Sequence, residues 1–399
     1  MKERKISATY IYTLAGKIIK NGIVVLDEQG TILDVIDTNG ELSEIEGLEY
    51  YSGILCPGFV NAHCHLELSH LKDKITPKQG LAAFIKQIFF QRKQDEALQN
   101  EAIKKADRNM YLNGIVAVGD ISNGTTSLET KELSNIYYHT FIECFGFSKE
   151  RAQRAMEYAG FVSYICDAGK LSWSITAHAP YSVSDALWEL ILAKTLEKNS
   201  TLSVHHQESK EEDKMFAHQD GELIAHYRDN LKIDVSSWHP TALTSTEAIL
   251  QKIPSSVPLL LVHNTYLTEE HLTMLKSMRQ TNNTFWVTCP NSNLYIEGCL
   301  PEYKKLIDSK INICIGTDSL ASNHQLSILE EMKTIAGNYA DFSLEELLTW
   351  ACQNGARALS IDDWAGTIEK GKKPGLNLIT GIDLKTLQLS KNSRVKKLA

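Results

Sequence analysis

The chain has 399 residues and a formal net charge of −8, with 43% hydrophobic and 23% charged residues. This composition is typical of a soluble globular protein and excludes a disordered chain. Nucleic acid is not expected as a partner, because its phosphates would be repelled by the negative charge. The N-terminal residues lack the apolar stretch of a signal peptide, and the apolar runs are too short to cross a bilayer, so we expect a cytoplasmic protein without membrane contact.

The eight cysteines are scattered without a C-x-x-C pair. This spacing fits buried, reduced thiols better than a disulfide framework or a cysteine zinc site.

Both ends of the chain have a β-like pattern. Within residues 1–56, short apolar runs are separated by Gly and Asp/Asn turns, at Ala8–Leu14, Gly22–Leu26 and Thr31–Asp37, which predicts a small antiparallel sheet. The tail after Leu359 returns to strand and turn patterns. We therefore predict one small, discontinuous β domain formed by residues 1–56 and 360–399.

Residues 57–359 alternate short apolar strands with amphipathic helical segments such as Leu81–Arg92, Asp95–Leu112 and Ser343–Leu359. The pattern predicts an α/β fold of the (β/α)8 barrel type. The strand candidates are Ile54–His63, Gly114–Ile121, His139–Cys144, Leu171–His178, Thr201–His205, Pro258–His263, Thr284–Thr288 and Ile311–Gly316. The fifth and sixth are separated by roughly fifty residues, against the ~30 of a simple βα unit, so we predict a lid-forming insertion over residues 207–257.

Polar side chains with metal-binding chemistry follow several of these strands. His63 and His65 are two residues apart, so both side chains point to one face and can chelate one ion. An H-x-H pair alone is a weak signal. At the fifth strand, His205 and Glu208 offer a ligand and a proton shuttle, whereas the adjacent His206 faces the other way and is predicted to pack outside the barrel against a backbone partner.

The sixth and eighth strands add two further candidates. His263 ends an apolar run, where a lone histidine is more often a core residue, but its register with the other strands favours a catalytic role. Asp318 directly follows a buried strand, and a buried carboxylate is costly unless it binds a cation or a hydrogen-bond cluster. Barrel enzymes place their active sites at this end of the strands.

Together these motifs resemble the amidohydrolase superfamily. The matching segments are Pro57–Glu67, His205 with Glu208, Val262 with His263, and 316–319. The H-x-x-E pair is similar to that of the mononuclear branch, which holds cytosine, guanine and S-adenosylhomocysteine deaminases, chlorohydrolases and aminodeoxyfutalosine deaminases. The tail and the N-terminal strands likewise resemble the small β-sandwich of this superfamily.

The resemblance implies one divalent metal ion, because the fourth strand lacks the lysine that dinuclear relatives carboxylate. The implied ligands are His63, His65, His205 and Asp318, with zinc expected and iron as the alternative. Asp318 would accept a proton from the metal-bound water, and His263 would steady the resulting hydroxide. Glu208 would protonate a ring nitrogen of an aminated purine or nucleoside-like heterocycle and help ammonia leave.

The resemblance also implies substrate-binding positions at His178, Glu67 and Arg92. Either His178 or Glu67 could equally orient metal ligands from behind. Arg92 suggests a substrate with a carboxylate, as in 6-aminodeoxyfutalosine, although a solvated arginine on a helix surface is the more common case.

Other functions stay open at this point. They are guanine or methylthioadenosine-type deamination, triazine-type chlorohydrolysis, and binding by a catalytically silent relative. The substrate is expected to be a small molecule, and family resemblance allows a homo-oligomer.

Overall fold

The computed structural model describes residues 3–236 and 238–399. Its strands are β1 (Arg4–Ile11), β2 (Ile19–Lys20), β3 (Ile23–Leu26), β4 (Ile32–Ile36), β5 (Leu48–Pro57), β6 (Phe59–Cys64), β7 (Ile115–Ser122), β8 (Tyr137–Cys144), β9 (Ser172–Ala177), β10 (Leu202–His206), β11 (Leu259–His263), β12 (Thr284–Thr288), β13 (Asn312–Ile315), β14 (Leu376–Thr380) and β15 (Arg394–Lys397). Its α-helices are α1 (Leu81–Gln91), α2 (Glu96–Leu112), α3 (Leu128–Leu133), α4 (Lys149–Ala168), α5 (Asp185–Lys198), α6 (Glu211–His218), α7 (Glu222–Ala225), α8 (Ser245–Lys252), α9 (Glu269–Met278), α10 (Pro290–Ile296), α11 (Tyr303–Asp308), α12 (Ile328–Asn338), α13 (Leu344–Leu348) and α14 (Gly355–Ala358).

The two ends of the chain pair in one sheet of seven strands. Its order is β15-β14-β5-β1-β3-β4, with β2 on β1. The tail pairs with the N-terminal strands as predicted, because β14 lies antiparallel to β5. The three predicted N-terminal runs pair antiparallel, β1 with β3 and β3 with β4, but the complete sheet is mixed, since β5 runs parallel to β1.

The first strand candidate, Ile54–His63, spans two different strands. Its first half belongs to β5 in the end sheet and its second half to β6 in another sheet. The change occurs at Gly58, whose amide donates to the Pro374 carbonyl at 3.1 Å. A Cβ at Gly58 would lie 2.3 Å from the Val116 side chain, so only glycine fits this crossing. A continuous apolar run cannot show such a division.

The remaining strands form two parallel sheets of four, β6-β7-β8-β9 and β10-β11-β12-β13. They are almost entirely buried, which explains their unbroken apolar sequences, since parallel strands are covered on both faces. Two sets of hydrogen bonds join the sheets. The His205 amide donates to the His178 carbonyl at 2.9 Å, and the Thr317 amide donates to the His63 carbonyl at 3.0 Å. The carboxyl ends of β6, β9, β10 and β13 therefore lie together.

The helices pack apolar stripes on these sheets. In α2 the buried side chains are Ile103, Ala106 and Met110, spaced three and four residues apart. The helix begins at Asp95, whose carboxylate accepts from the Ala97 amide at 2.9 Å. The predicted insertion over 207–257 contains α6, α7 and α8 and a wide helical turn at His226–Asn230.

All eight cysteines are free, and all but Cys299 are buried, as predicted. In the part of the chain that the structure describes, no helix combines the length and the apolar character needed to span a bilayer.

Candidate active site

Two of the predicted site residues, and Gln207 next to a third, have a left-handed backbone where strands end. His263 ends β11 with a φ of 76°, Asp318 follows β13 with a φ of 55°, and Gln207 follows β10 with a φ of 49°. Non-glycine residues rarely adopt this left-handed conformation, and each instance costs about 1–3 kcal/mol. Such strain is retained where it orients functional side chains. These turns lie around one cluster of predicted site side chains.

Four of the predicted side chains converge on one point. The Nε2 atoms of His63 and His65 are 3.1 Å apart, and those of His65 and His205 are 3.3 Å apart. Asp318 Oδ1 lies 3.5 Å from His65 Nε2 and 3.9 Å from His63 Nε2. Four ligand atoms around one tetrahedral ion, with bonds of about 2.1 Å, stand about 3.4 Å from each other. The donor set therefore fits one divalent ion.

The ligand atoms are held by contacts behind them. Asp318 Oδ2 accepts hydrogen bonds from the hydroxyls of Ser292 and Ser322, both at 2.6 Å, which leaves Oδ1 to face the histidines. His205 Nδ1 donates to the His178 carbonyl at 2.9 Å, so its Nε2 carries the lone pair. These contacts fix the ligands in the orientation that a metal needs.

Burial favours the neutral forms of His63 and His205. Burial and the neighbouring imidazoles lower the pKa of His63 well below its usual value. Burial lowers the pKa of His205 to about 3. Burial alone would raise the pKa of Asp318, but His65, His263 and the two serine hydroxyls outweigh it and hold that pKa low. Neutral imidazoles and an ionised carboxylate are the forms that bind a metal.

His263 and Glu208 lie beside the four ligands. His263 Nδ1 donates to Asn293 Oδ1 at 2.9 Å, and its Nε2 is 3.6 Å from Glu208 Oε1. Burial, with Asp318 nearby, raises the pKa of Glu208 well above its usual value. A carboxyl group with a raised pKa holds its proton to a higher pH and can donate it to a substrate.

The predicted substrate-binding residues take different positions. His178 lines the cavity above the ligands, and its Nδ1 pairs with the Ser182 hydroxyl at 2.9 Å. Glu67 is buried beneath the wall of the cavity, where it accepts from the amides of Asn123 and Gly124 at 3.0 and 3.2 Å. Arg92 lines the cavity, but its Nη2 also donates to Asn123 Oδ1 at 3.0 Å and lies 3.7 Å from Glu67 Oε2.

His206 stands apart from the ligand cluster, as predicted. It is fully buried, and its ring pairs with Asn264 Oδ1 and the Thr246 hydroxyl, each at 2.8 Å. We expected a backbone partner for His206. Both partners are side chains instead, because the ring lies between the end of β11, which Asn264 follows, and α8, which carries Thr246.

Sequence analysis did not identify the carboxylate that fixes the turn carrying Glu208. Glu212 Oε1 accepts from the Glu208 amide at 2.6 Å, and its Oε2 accepts from the Gln207 amide at 3.0 Å and the Ser245 hydroxyl at 2.6 Å. Glu212 therefore positions the proposed proton donor. The sequence shows a glutamate four residues after Glu208, in the first turn of α6. A glutamate at the start of a helix is usually exposed, so this one was not predicted to have a role in the site.

A buried ion pair also escaped the sequence analysis. Lys131 Nζ lies 2.6 Å from Asp120 Oδ2, and both side chains are fully buried. Asp120 Oδ1 accepts from the Leu66 amide at 2.8 Å, directly after His65. The pair therefore fixes the segment that carries the two-histidine motif.

A cavity of about 600 Å3 opens above the cluster. Its floor holds His65, His205 and Asp318, while its upper walls are apolar. One wall is α1, through Phe84, Ile85 and Ile88; the facing wall comes from the insertion, through Tyr227, Leu231 and Ile233. The cavity is large enough for a nucleoside-sized molecule.

Comparisons with known proteins identify a family for the chain and a fold similar to its own. A sequence model of the amidohydrolase family matches residues 54–398. An adenosine deaminase of Helicobacter pylori is 27% identical over 82% of this chain and 79% of its own length. An aminodeoxyfutalosine deaminase of Nitratiruptor sp. is 25% identical over 91% of this chain and 88% of its own. A crystal structure of Helicobacter pylori aminofutalosine deaminase in complex with methylthio-coformycin superposes with a TM-score of 0.82 at 23% identity, covering 99% of this chain and 100% of that one.

Proposed function

Because the chain belongs to the amidohydrolase family, we propose that it is a metal-dependent hydrolytic deaminase of 6-aminopurine nucleosides. The observation that carries the proposal is the convergence of three imidazoles and Asp318 beside Glu208, a carboxyl group whose pKa is raised by burial. The relatives described above are named as deaminases of adenosine and aminodeoxyfutalosine, which supports the reaction type. A 6-aminodeoxyfutalosine-like substrate is the proposed choice within this class.

We also propose the finer architecture. The two parallel sheets are inferred to close into a (β/α)8 barrel over residues 57–359, because hydrogen bonds join them at both edges. Residues 1–56 and 360–399 would then form the small discontinuous β-sandwich domain. The protein is proposed to act in the cytoplasm on a small molecule, and a homo-oligomer stays a prediction.

His63, His65, His205 and Asp318 would hold the ion, with zinc proposed because three imidazoles and one carboxylate suit it, and iron as the alternative. When bound, such an ion lowers the pKa of a water ligand toward neutrality and so supplies a nucleophile. The remaining chemistry belongs to the protein's own side chains.

In the proposed reaction, Glu208 delivers a proton to the ring nitrogen next to the carbon that carries the amine. Protonation there makes that carbon more electrophilic, so water adds to it. Asp318 accepts the proton that the water loses, and His263 Nε2, whose ring already donates through Nδ1 to Asn293, accepts a hydrogen bond from the remaining O–H. The proton on Asp318 then passes to the amine, and the C–N bond breaks as ammonia leaves. The hydroxyl proton returns to Glu208 as the C=O bond forms, which restores both carboxyl groups.

The proposal is tested by ammonia release from a panel of purines, pyrimidines and nucleosides, with Glu208→Gln as the diagnostic variant. Glutamine keeps the shape of the side chain but cannot transfer a proton, so turnover should fall at least ~100-fold while the metal content, measured by plasma emission, stays unchanged. His65→Ala should lose metal and turnover together. Substantial turnover by Glu208→Gln, or no ammonia from any 6-aminopurine nucleoside, would contradict the proposal.

A further inference from the structure

Glu331 is a fully buried carboxyl group that the proposed chemistry does not use. It lies on α12, on the same buried side of the helix as the apolar residues Ile328, Met332 and Ile335. A carboxyl group in such surroundings costs free energy unless hydrogen bonds satisfy its oxygens. The partners of Glu331 therefore indicate what the helix gains from having an acid at this position.

Three amide groups donate to Glu331. The Asn291 backbone amide donates to Oε2, and Asn291 Nδ2 donates to Oε1, both at 2.9 Å. Asn323 Nδ2 donates to the same Oε1 at 2.7 Å and to the Thr317 carbonyl at 2.9 Å. One side chain on α12 therefore joins the first turn of α10 to the loop that follows β13.

Both asparagines are next to a serine that contacts Asp318. Asn291 precedes Ser292, and Asn323 follows Ser322. The hydroxyls of the two serines donate to Asp318 Oδ2, each at 2.6 Å. The serines are 30 residues apart in the chain, so Glu331 holds together two separate segments that meet at one oxygen of Asp318.

The backbone of Asp318 also needs support from outside its own loop. Its φ is 55°, in the left-handed region that non-glycine residues keep only where the surrounding structure holds them. The two serine hydroxyls occupy Oδ2 and leave Oδ1 for the ion. If either serine moves, the carboxylate of Asp318 is free to rotate.

We propose that Glu331 is a positioning residue that holds Ser292 and Ser322 against Asp318 and thereby orients Asp318 toward the metal ion. The inference rests on the proposed function, because the ligand role of Asp318 is part of that function. Groups behind a metal ligand commonly set metal affinity in this way. Here the effect passes through two links, from Glu331 to the asparagines and from the adjacent serines to Asp318.

Glu331→Gln is the diagnostic variant, because it keeps the shape of the side chain and changes its hydrogen bonding. An amide nitrogen replaces one of the two carboxyl oxygens, and both oxygens accept from amide groups. In either orientation of the glutamine, at least one donor then faces another donor. The link to at least one of the two segments should therefore be lost.

Zinc affinity of the metal-free protein tests the inference without turnover. Competition with a chromophoric chelator gives the dissociation constant for Zn²⁺. Glu331→Gln should weaken zinc binding about tenfold, within the range for groups that orient metal ligands. Glu330→Gln is the matched control, since Glu330 is the preceding residue of α12 and pairs with Lys333 at 2.8 Å. It should leave the zinc affinity unchanged.

A double-mutant cycle distinguishes an effect through the serines from a general loss of packing. Ser292→Ala/Ser322→Ala removes both hydroxyls and should weaken zinc binding about 10- to 100-fold. Adding Glu331→Gln to this protein should change the affinity by less than about twofold, because the groups through which Glu331 acts are gone. A structural effect independent of the serines would instead add its full loss.

Asn291→Ala provides a second variant for the case in which Glu331→Gln does not fold. It removes one donor to Glu331 from a half-buried position, and it should weaken zinc binding about two- to tenfold. Unchanged zinc affinity in the variant that folds, or a full further loss in the protein without the two serine hydroxyls, would overturn the assignment. Failure of the proposed function would show separately, as zinc binding that depends on Glu331 without ammonia release from any 6-aminopurine nucleoside.

Discussion

At the scale of single residues, the site depends on side chains that lie far apart in the chain and are held by a second layer of contacts. Asp318 is aimed by Ser292 and Ser322, and Glu208 is carried on a turn fixed by Glu212. Each of these supports is a hydrogen bond to a charged or ionisable group in a dry environment. Such bonds are stronger than those between neutral groups.

The buried Lys131–Asp120 pair gives a residue-scale prediction. Lys131→Met removes the partner of a fully buried carboxylate, so the free energy of unfolding should fall by about 3–5 kcal/mol. Chemical denaturation measures the change. Because Asp120 also binds the Leu66 amide, metal affinity should fall as well.

The double variant Asp120→Asn/Lys131→Met is the control for that prediction. It removes both charges, so it should be more stable than Lys131→Met alone. A Lys131→Met protein as stable as the unchanged one would show that the pair does not carry the expected energy.

Residue-scale features divide into those that sequence can predict and those that it cannot. The side chains proposed as metal ligands were predicted because H-x-H, H-x-x-E and an aspartate after a buried strand are local patterns. The Lys131–Asp120 pair depends on burial of both charges, which sequence does not show.

At the scale of elements, α1 forms one wall of the upper cavity. The carboxylate of Glu297 joins the start of this helix to Tyr266. Glu297 Oε1 accepts from the Leu81 amide at 2.8 Å at the start of α1, and Glu297 Oε2 accepts from the Tyr266 hydroxyl at 3.0 Å. The helix N-terminus has no side-chain cap from Gly80, so Glu297 supplies the acceptor from a distant part of the chain.

We therefore expect Glu297→Ala to loosen α1 and thereby the apolar wall that it contributes. KM should rise about tenfold, as for a loss of roughly 1.4 kcal/mol of binding, while kcat changes little, since the ligands and Glu208 are untouched. Steady-state kinetics and amide hydrogen exchange over residues 81–91 check this. Unchanged exchange in that helix would show that Glu297 does not anchor it.

Sequence analysis did not predict one strand boundary, the one between β5 and β6. The eight strand candidates of the central region all correspond to strands, but the first one merged β5 with β6. Only the crossing at Gly58, between Pro374 and Val116, separates them. Contacts between segments more than three hundred residues apart decide that boundary.

At the scale of the whole molecule, buried carboxyl groups make stability depend on pH. Burial raises the pKa of Glu212 and of Glu331 from 4.5 to about 8. A carboxyl whose pKa is raised in the folded state binds its proton more tightly there than in the unfolded chain. The stability that it contributes is complete below about pH 4.5 and is lost as the pH rises to about 8.

The unfolding free energy should therefore decrease across this window, by up to about 1.4 kcal/mol per pH unit for each group. Glu331→Gln should flatten the slope, since glutamine does not titrate. Denaturation at several pH values measures it, with Glu129→Gln, on an exposed side chain, as the control. An identical slope in Glu331→Gln would show that this group does not titrate in the window.

The most direct test of the whole assembly is the metal stoichiometry together with the activity that depends on it. We expect one divalent ion per chain by plasma emission, loss of ammonia release from a 6-aminopurine nucleoside after chelation, and recovery when zinc is returned. Undiminished ammonia release from the protein after its ion has been removed would contradict the assignment of His63, His65, His205 and Asp318 as the ligands of a catalytic metal.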